Sequence, residues 1–262
     1  MAIGRTNAVI GSISGLPSFT YTGTYSVIDD GDNNWRIKFL SGGTFTPEKN
    51  ILVDIFAVGG GGGSKHYQAG GGCGGFTNTS RNIQLTGNTS YTVTVGAGGN
   101  GNTSGETQAG TGGTSSFGSI ISASGGQGDL GYARGGYRGG SGGGGYNASS
   151  PGTGGSDGAN GSRSNGGYGQ GTTTREFGES TGDLYAGGGG GSWHNTSTSV
   201  KNNGGAGGGG RGSNNNSSYK VYGTNGTDNT GGGAGGGASW GSSGGSYALK
   251  GGSGIVIIRN AR

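Results

Sequence analysis

One cysteine, three prolines and two histidines are all that 262 residues contain of these types, and each scarcity closes a class of folds or sites. A lone Cys73 builds no intramolecular disulfide framework, and with His66 and His194 it leaves too few ligands for a structural zinc site. Collagen needs glycine at every third position with abundant proline, because only glycine fits at the triple-helix axis. Three prolines and uninterrupted runs such as Gly187 to Gly191 exclude it. Hydrophobic residues make up 26% and charged residues 11%, so a conventional core cannot fill the whole length. No apolar stretch reaches the about 18 residues of a membrane span, so no membrane insertion is expected. The opening MAIGRTNAVIGSISG also lacks the continuous apolar segment of a secretion signal.

What is present instead is glycine, at 76 positions. Its runs recur at 59–63, 70–75, 96–99, 110–113, 139–145, 187–191, 204–210, 231–237 and 251–254. Apolar residues concentrate between residues 18 and 58, in IQLTGNTSYTVTV, in TSSFGSIISAS and in the closing GIVIIR. These segments are β-branched and aromatic and are bounded by Gly, Asn and Asp, as strands are. Trp35, Ile37 and Phe39 alternate after the turn sequence DDGDNN, which predicts a hairpin with its apolar face inward. Val53, Ile55 and Ala57 alternate likewise, as do Tyr91, Val93 and Val95, and a second hairpin is expected near 81–95. Ile255, Val256, Ile257 and Ile258 form an unbroken apolar run, the pattern of a strand buried on both faces. A buried strand at the far end of the glycine-rich stretch argues that the stretch is folded.

Ordering a glycine costs about 1–2 kcal/mol, more than for any other residue, and backbone hydrogen bonds must offset this. A polyproline-II-like chain has three residues per turn and directs its N–H and C=O groups outward. Glycine lets such helices approach closely enough to exchange those bonds. The expected fold is therefore mainly β and irregular: N-terminal strands and a C-terminal strand enclosing a bundle of packed polyglycine-II helices. Residues 1–58 form a β-strand region and candidate attachment segment, 59–250 the glycine-rich bundle, and 251–262 the closing strand.

The succession ILVDIFAVGGGGG, GGGCGGFTNTSRNIQLTGNTSYTVTVGAGG, GTGGTSSFG, ISASGG and SGIVIIR resembles the glycine-rich domain of bacteriophage tail proteins. It is also similar to the polyglycine-sandwich adhesins at the tips of T-even-like phage tail fibres, and more distantly to the glycine-rich ectodomain of anaplastic-lymphoma-kinase-type receptors. The resemblance implies a virion component at a tail-fibre tip, made in the host cytoplasm. Its partners would be a bacterial surface glycan or outer-membrane protein and a trimeric tail fibre.

Several motifs point elsewhere and fall away on chemistry. G-x-G-x-x-G patterns arise from composition, and none opens a helix after a strand. Asp29, Asp30 and Asp32 lack the spacing of a calcium loop and read as a solvated turn. A hydrolase would need a nucleophile, base and orienting group together, and Cys73 inside a glycine run reads as a small buried hydrophobe. No cofactor and no catalysis are expected. A net charge of +4 and the Arg-Gly-Gly pattern of ARGGYRGGSGGGGY suggest RNA. The Lys and Arg residues are dispersed, however, and nucleic acid is not expected. Recognition loops favour aromatics for rigid contact area with Asn and Ser for adaptable polar contacts. On that ground the candidate ligand-binding residues are His66, Tyr67, Arg134, Tyr137, Arg138, Phe177, Tyr185, Trp193, His194, Tyr219 and Tyr222. Capping of the bundle ends by the aromatics is the competing reading. A structural module without its own ligand is the alternative function, ahead of an RNA binder or an ice binder.

Overall fold

The computed structural model describes residues 2–4, 13–66, 68–103, 107–130, 138–146, 174–194, 202–215, 220–237 and 248–262. Alternating apolar residues build two antiparallel sheets. One has the order β1 (Ala2–Gly4), β3 (Tyr25–Gly31), β4 (Asn34–Phe39), β14 (Ile255–Asn260), β6 (Ile51–Val58) and β7 (Thr77–Leu85). The other has the order β10 (Ile121–Ala123), β9 (Ser115–Phe117), β8 (Tyr91–Thr94), β5 (Gly43–Pro47) and β2 (Phe19–Tyr21). Among the described residues there is no α-helix.

Trp35, Ile37, Phe39, Val53, Ile55, Ala57, Val256 and Ile258 on the six-stranded sheet meet Phe45, Val93, Phe117 and Ile121 on the other. Phe39, Phe45 and Phe117 lie 5.5–6.2 Å apart across the interface, and aromatic pairs of this kind add about 0.5–1.5 kcal/mol each beyond area burial. The first hairpin forms as expected, with β3 paired to β4 and the turn residues Asp32 and Asn33 at φ 51° and 64°. Asn and Asp tolerate that region, as a tight hairpin turn requires. β14 lies between β4 and β6 and registers Ile255 opposite Val58 and Ile258 opposite Ile55. The end of the chain thus supplies a central strand, buried on both faces.

The second expected hairpin does not form. β7 pairs with β6, whereas β8 pairs with β5 and β9 in the opposite sheet. Residues 86–90 therefore arch from one sheet to the other. Gly87 N–H donates to Asn50 Oδ1, and Asn88 N–H donates to the Pro47 carbonyl, which hold the arch against the β5–β6 connection.

The expectation of strands enclosing the glycine runs also needs amending. The space between the sheets is filled by the apolar cluster. Instead, β6, β7, β8, β9, β10 and β14 all adjoin glycine runs at the same end of the sandwich, where Val58 faces Thr77 and Ile255. Beyond that edge the runs bond to one another with a spacing of three residues. Gly60 and Gly63 donate to the carbonyls of Gly113 and Gly110, and Gly61 and Ser64 to those of Gly252 and Leu249. Gly59 and Gly62 donate to Phe76 and Cys73. The carbonyls of Gly60 and Gly63 accept from Gly126 and Asp129, those of Gly61 and Ser64 from Gly99 and Asn102, and that of Gly62 from Ala234. One run thus gives to three neighbours and receives from three others. The next run repeats the pattern, with Gly71 and Gly74 donating to Gly144 and Ser141, and Cys73 and Phe76 to Gln127 and Ser124.

Glycine is required here by closeness of approach. A Cβ on Gly61 would stand 2.0 Å from the Gly232 carbonyl oxygen, and one on Gly72 2.1 Å from that of Gly62. Each backbone bond nets roughly 0.5–1.5 kcal/mol, comparable to the ordering cost per glycine, so the runs hold only when every buried N–H finds its carbonyl. At the edge of the bundle side chains stand in for missing neighbours. Asn225 Oδ1 accepts from Lys250 N–H at 2.9 Å, and three residues on Asp228 Oδ1 accepts from Ser253 N–H at 3.0 Å.

Cys73 is fully buried in a run, as its setting in the sequence implied. Burial pushes its thiol up to about 12, against weaker opposing help from backbone N–H groups of Gly143 and Arg138. Native protein at pH 8 is therefore expected to resist a thiol-reactive chromophore and to react only after unfolding in guanidinium. Labelling of the native protein at the unfolded rate would show that the run opens freely.

Candidate functional site

Runs 59–63 and 231–237 leave the sandwich in the same direction, and at their far ends the Lys65 carbonyl accepts from Gly237 N–H. Five residues of extended chain span roughly 15–17 Å at about 3.1–3.4 Å per residue, so residues 64–66 and 68–69 stand well clear of the sandwich. Ser192 N–H donates to the Ala69 carbonyl, Ser213 N–H to that of Gly236, and Lys65 forms a parallel bridge with Asn102. The same end carries a small three-stranded sheet of β11 (Trp193–His194), β12 (Asn214–Asn215) and β13 (Lys220–Val221). β11 runs parallel to β12, and β12 antiparallel to β13.

Several candidate binding residues converge on this distal end. His66 is half-buried in the connection between two runs. The backbone of Trp193 and His194 pairs with Asn214 and Asn215. Tyr222, just after β13, is 63% exposed, and its carbonyl accepts from Arg211 Nη2. Arg138 is exposed on the flank, where its carbonyl accepts from Gln127 N–H. Tyr67, Arg134, Tyr137 and Tyr219 lie outside the described residues.

Phe177 and Tyr185 lie apart from the distal end, and both are buried, at 1% and 5% exposure. Residues 174–186 form a strap in which Glu176 N–H donates to the Asp183 carbonyl and Tyr185 N–H to that of Thr174. The strap covers Phe56, Val58, Ile255 and Ile257 on the outer face of the six-stranded sheet. Phe177, at φ 55°, packs 5.9 Å from Phe56 and holds the Arg259 guanidinium 4.2 Å over its ring. Tyr185 lies 5.4 Å from Phe56. Aromatics interspersed with polar residues look alike in a capping strap and a binding loop, and only the exposed apolar face beneath decides between them.

A charged network fixes the strap. Glu176, 2% exposed, receives Lys38 Nζ at 2.9 Å, the Tyr185 hydroxyl at 3.0 Å and Arg36 Nη1. Asp30 receives Arg36 Nη2 at 2.8 Å and Arg262 Nη2 at 2.7 Å. Burial pushes the Asp30 carboxyl up, but hydrogen bonds and charges from Arg36 and Arg262 outweigh it and hold the group below its ordinary range. Asp30 therefore lies in β3 ahead of the turn and is an ion-pair partner, not part of a solvated turn. Burial, with the neighbouring Glu176 charge, pushes the Tyr185 hydroxyl far up, so it remains a donor.

Beside the strap, Asp54 Oδ2 receives Arg259 Nε and Nη2 at 3.1 and 3.0 Å, and Asp54 Oδ1 accepts from Asn82 N–H at 3.0 Å. Asp54 sits where the β6–β7 register shifts. Arg259 Nη2 also reaches Glu179 at 2.6 Å, and that hydrogen bond draws the Glu179 carboxyl downward against its partial burial. Sequence reasoning passed over this pair although it carries a signal: one acid in ILVDIFAV and one base in GIVIIR, each alone in an apolar strand. Among the described residues no cluster of His, Cys, Asp and Glu could hold a metal ion.

The glycine-rich domain family model matches residues 40–261, and the chain belongs to that family. No curated protein matches it.

Proposed function

We propose that this protein is a receptor-binding adhesin of the phage tail-fibre type, with its glycine runs packed as polyglycine-II helices and its ligand held at the distal end. The observation that carries the reading is the three-residue alternation of hydrogen-bond partners along runs 59–64 and 71–76. A scaffold bonded on all sides through its backbone holds its connections in place whatever their side chains. Connections at the distal end, such as those that carry the half-buried His66 and the exposed Tyr222, then serve as positions where sequence can vary at little cost to the platform. The ligand is a bacterial surface glycan or the external loops of an outer-membrane protein. Modest single-site affinity is multiplied by several copies on one particle, and no catalysis is involved.

The test is selective binding of fluorescently labelled protein to a panel of Gram-negative and Gram-positive cells, beside a variant carrying His66→Ala and Tyr222→Ala. Binding to a subset of cells that falls at least about tenfold in the variant, the scale of one lost well-made contact, is expected. Absence of binding to every cell type would leave a structural module as the better reading.

A further inference from the structure

A cleft of about 200 Å³ opens beside the strap, lined by Asp30, Arg36, Glu176, Glu179, Arg259 and Arg262, with Thr181 at its rim. It lies on the flank of the sandwich, apart from the distal end of the bundle.

Three guanidinium groups face three carboxylates across this space, so the lining carries no net charge. Each charge already has a partner. Arg36 and Arg262 hold Asp30, Arg36 also holds Glu176, and Arg259 holds Glu179. A phosphate or an acidic sugar would have to compete with a carboxylate for its arginine, and a cation would have to compete with an arginine for its carboxylate.

The pairs leave hydrogen-bonding capacity of both kinds. A guanidinium carries five N–H donors. Arg36 shares its Nε–H between both oxygens of Asp30 and engages Nη2 once with Asp30 and Nη1 once with Glu176, which leaves one N–H on each terminal nitrogen. Arg262 engages Nη2 with Asp30, and Arg259 engages Nε and Nη2. Glu179 is 43% exposed and meets Arg259 through Oε1, so Oε2 and the exposed Thr181 hydroxyl stand as acceptors beside these donors. Donors and acceptors backed by charge make stronger hydrogen bonds than neutral ones. Neighbouring hydroxyls on a sugar each give and take one bond, and a lining that offers both functions suits them. The volume is below the about 300 Å³ at which pockets for drug-sized ligands begin, which limits the occupant to a single ring.

We propose that this cleft is a binding subsite for one neutral sugar ring, held through its hydroxyls by the guanidinium and carboxylate edges and by Thr181. The subsite is independent of the distal binding reading and can stand or fall without it.

Saturation-transfer NMR with glucose, galactose, mannose and N-acetylglucosamine tests it, with inorganic phosphate as a competitor. At least one sugar is expected to bind with a Kd on the order of 1 mM, about −4 kcal/mol. Phosphate should not displace it. Thr181→Val leaves every ion pair in place and is expected to weaken the sugar about tenfold, as loss of a good hydrogen bond does, and Glu179→Gln should weaken it while thermal melting confirms the fold. Saturation by none of the four sugars at tens of millimolar, about tenfold above that Kd, would overturn the proposal. So would displacement of the sugar by phosphate, or binding that survives Thr181→Val and is lost in Tyr222→Ala, which would move the sugar to the distal end.

Discussion

Gly62→Ala is expected to unfold the bundle or to cost at least about 3 kcal/mol, the upper range for overpacking a tight interior. Gly62 lies in the middle of its run, donating to Cys73 and accepting from Ala234. An added Cβ would stand 2.1 Å from the Gln127 carbonyl oxygen and 2.4 Å from its carbon. Those are backbone atoms, so no rotamer relieves the collision, and moving the Gln127 peptide breaks its bonds to Cys73 and Arg138. Gly118→Ala provides the contrast. Gly118 is at φ 52° with nothing within 4 Å of a Cβ, so the cost is limited to the about 1–2 kcal/mol of a left-handed backbone. Chemical denaturation of both variants decides the matter. Equal and small losses would mean that the runs are not close-packed in solution.

Asp54→Ala is expected to cost about 3 kcal/mol, at the lower end of the about 3–5 kcal/mol for removing one partner of a buried ion pair. Asp54 and the Arg259 side chain are 1% and 2% exposed. The substitution leaves the buried Arg259 guanidinium with Glu179 as its carboxylate partner and strips Asn82 N–H and Arg81 Nη1 of an acceptor. The charge itself is the problem, so pairing Asp54→Ala with Arg259→Met should recover part of the loss, since apolar replacement of a buried pair is often neutral. A double-mutant cycle by denaturant titration reads this directly. A double variant as unstable as the sum of the single ones would show that the two side chains are not coupled.

The sandwich core was legible because alternation is a local signal: Trp35, Ile37 and Phe39, or Val53, Ile55 and Ala57, each declare one inward face. The Ile255 to Ile258 run declared two. The arch at 86–90 was not legible, because strand, polar turn and strand read the same whether the chain folds back in one sheet or crosses to another. The choice is made by partners far away, β5 and β6, and by the hydrogen bonds of Asn50 and Pro47 to the arch. The strap was not legible for a related reason. Phe177 and Tyr185 cover Phe56 and Ile257, and nothing in TTTREFGESTGDLY reports that those strands have a second apolar face in need of cover. His66, Trp193, His194 and Tyr222 were gathered to one end by the hydrogen bonding of runs whose own sequences are nearly identical.

The spacing of three has a consequence for how such a chain can change length. Along run 59–64 each step of one residue turns the amide toward a different neighbour, and the fourth residue returns to the first. One residue added inside the run would send every later amide to the wrong neighbour, much as a single inserted base shifts a reading frame, and only additions of three would restore the sense. The frame extends through Lys65, whose carbonyl accepts from Gly237 as that of Gly62 does from Ala234, and a connection that only joins the ends of two runs needs no such frame. Lineages of this chain are therefore expected to change freely in length at the distal end and in steps of three within the runs.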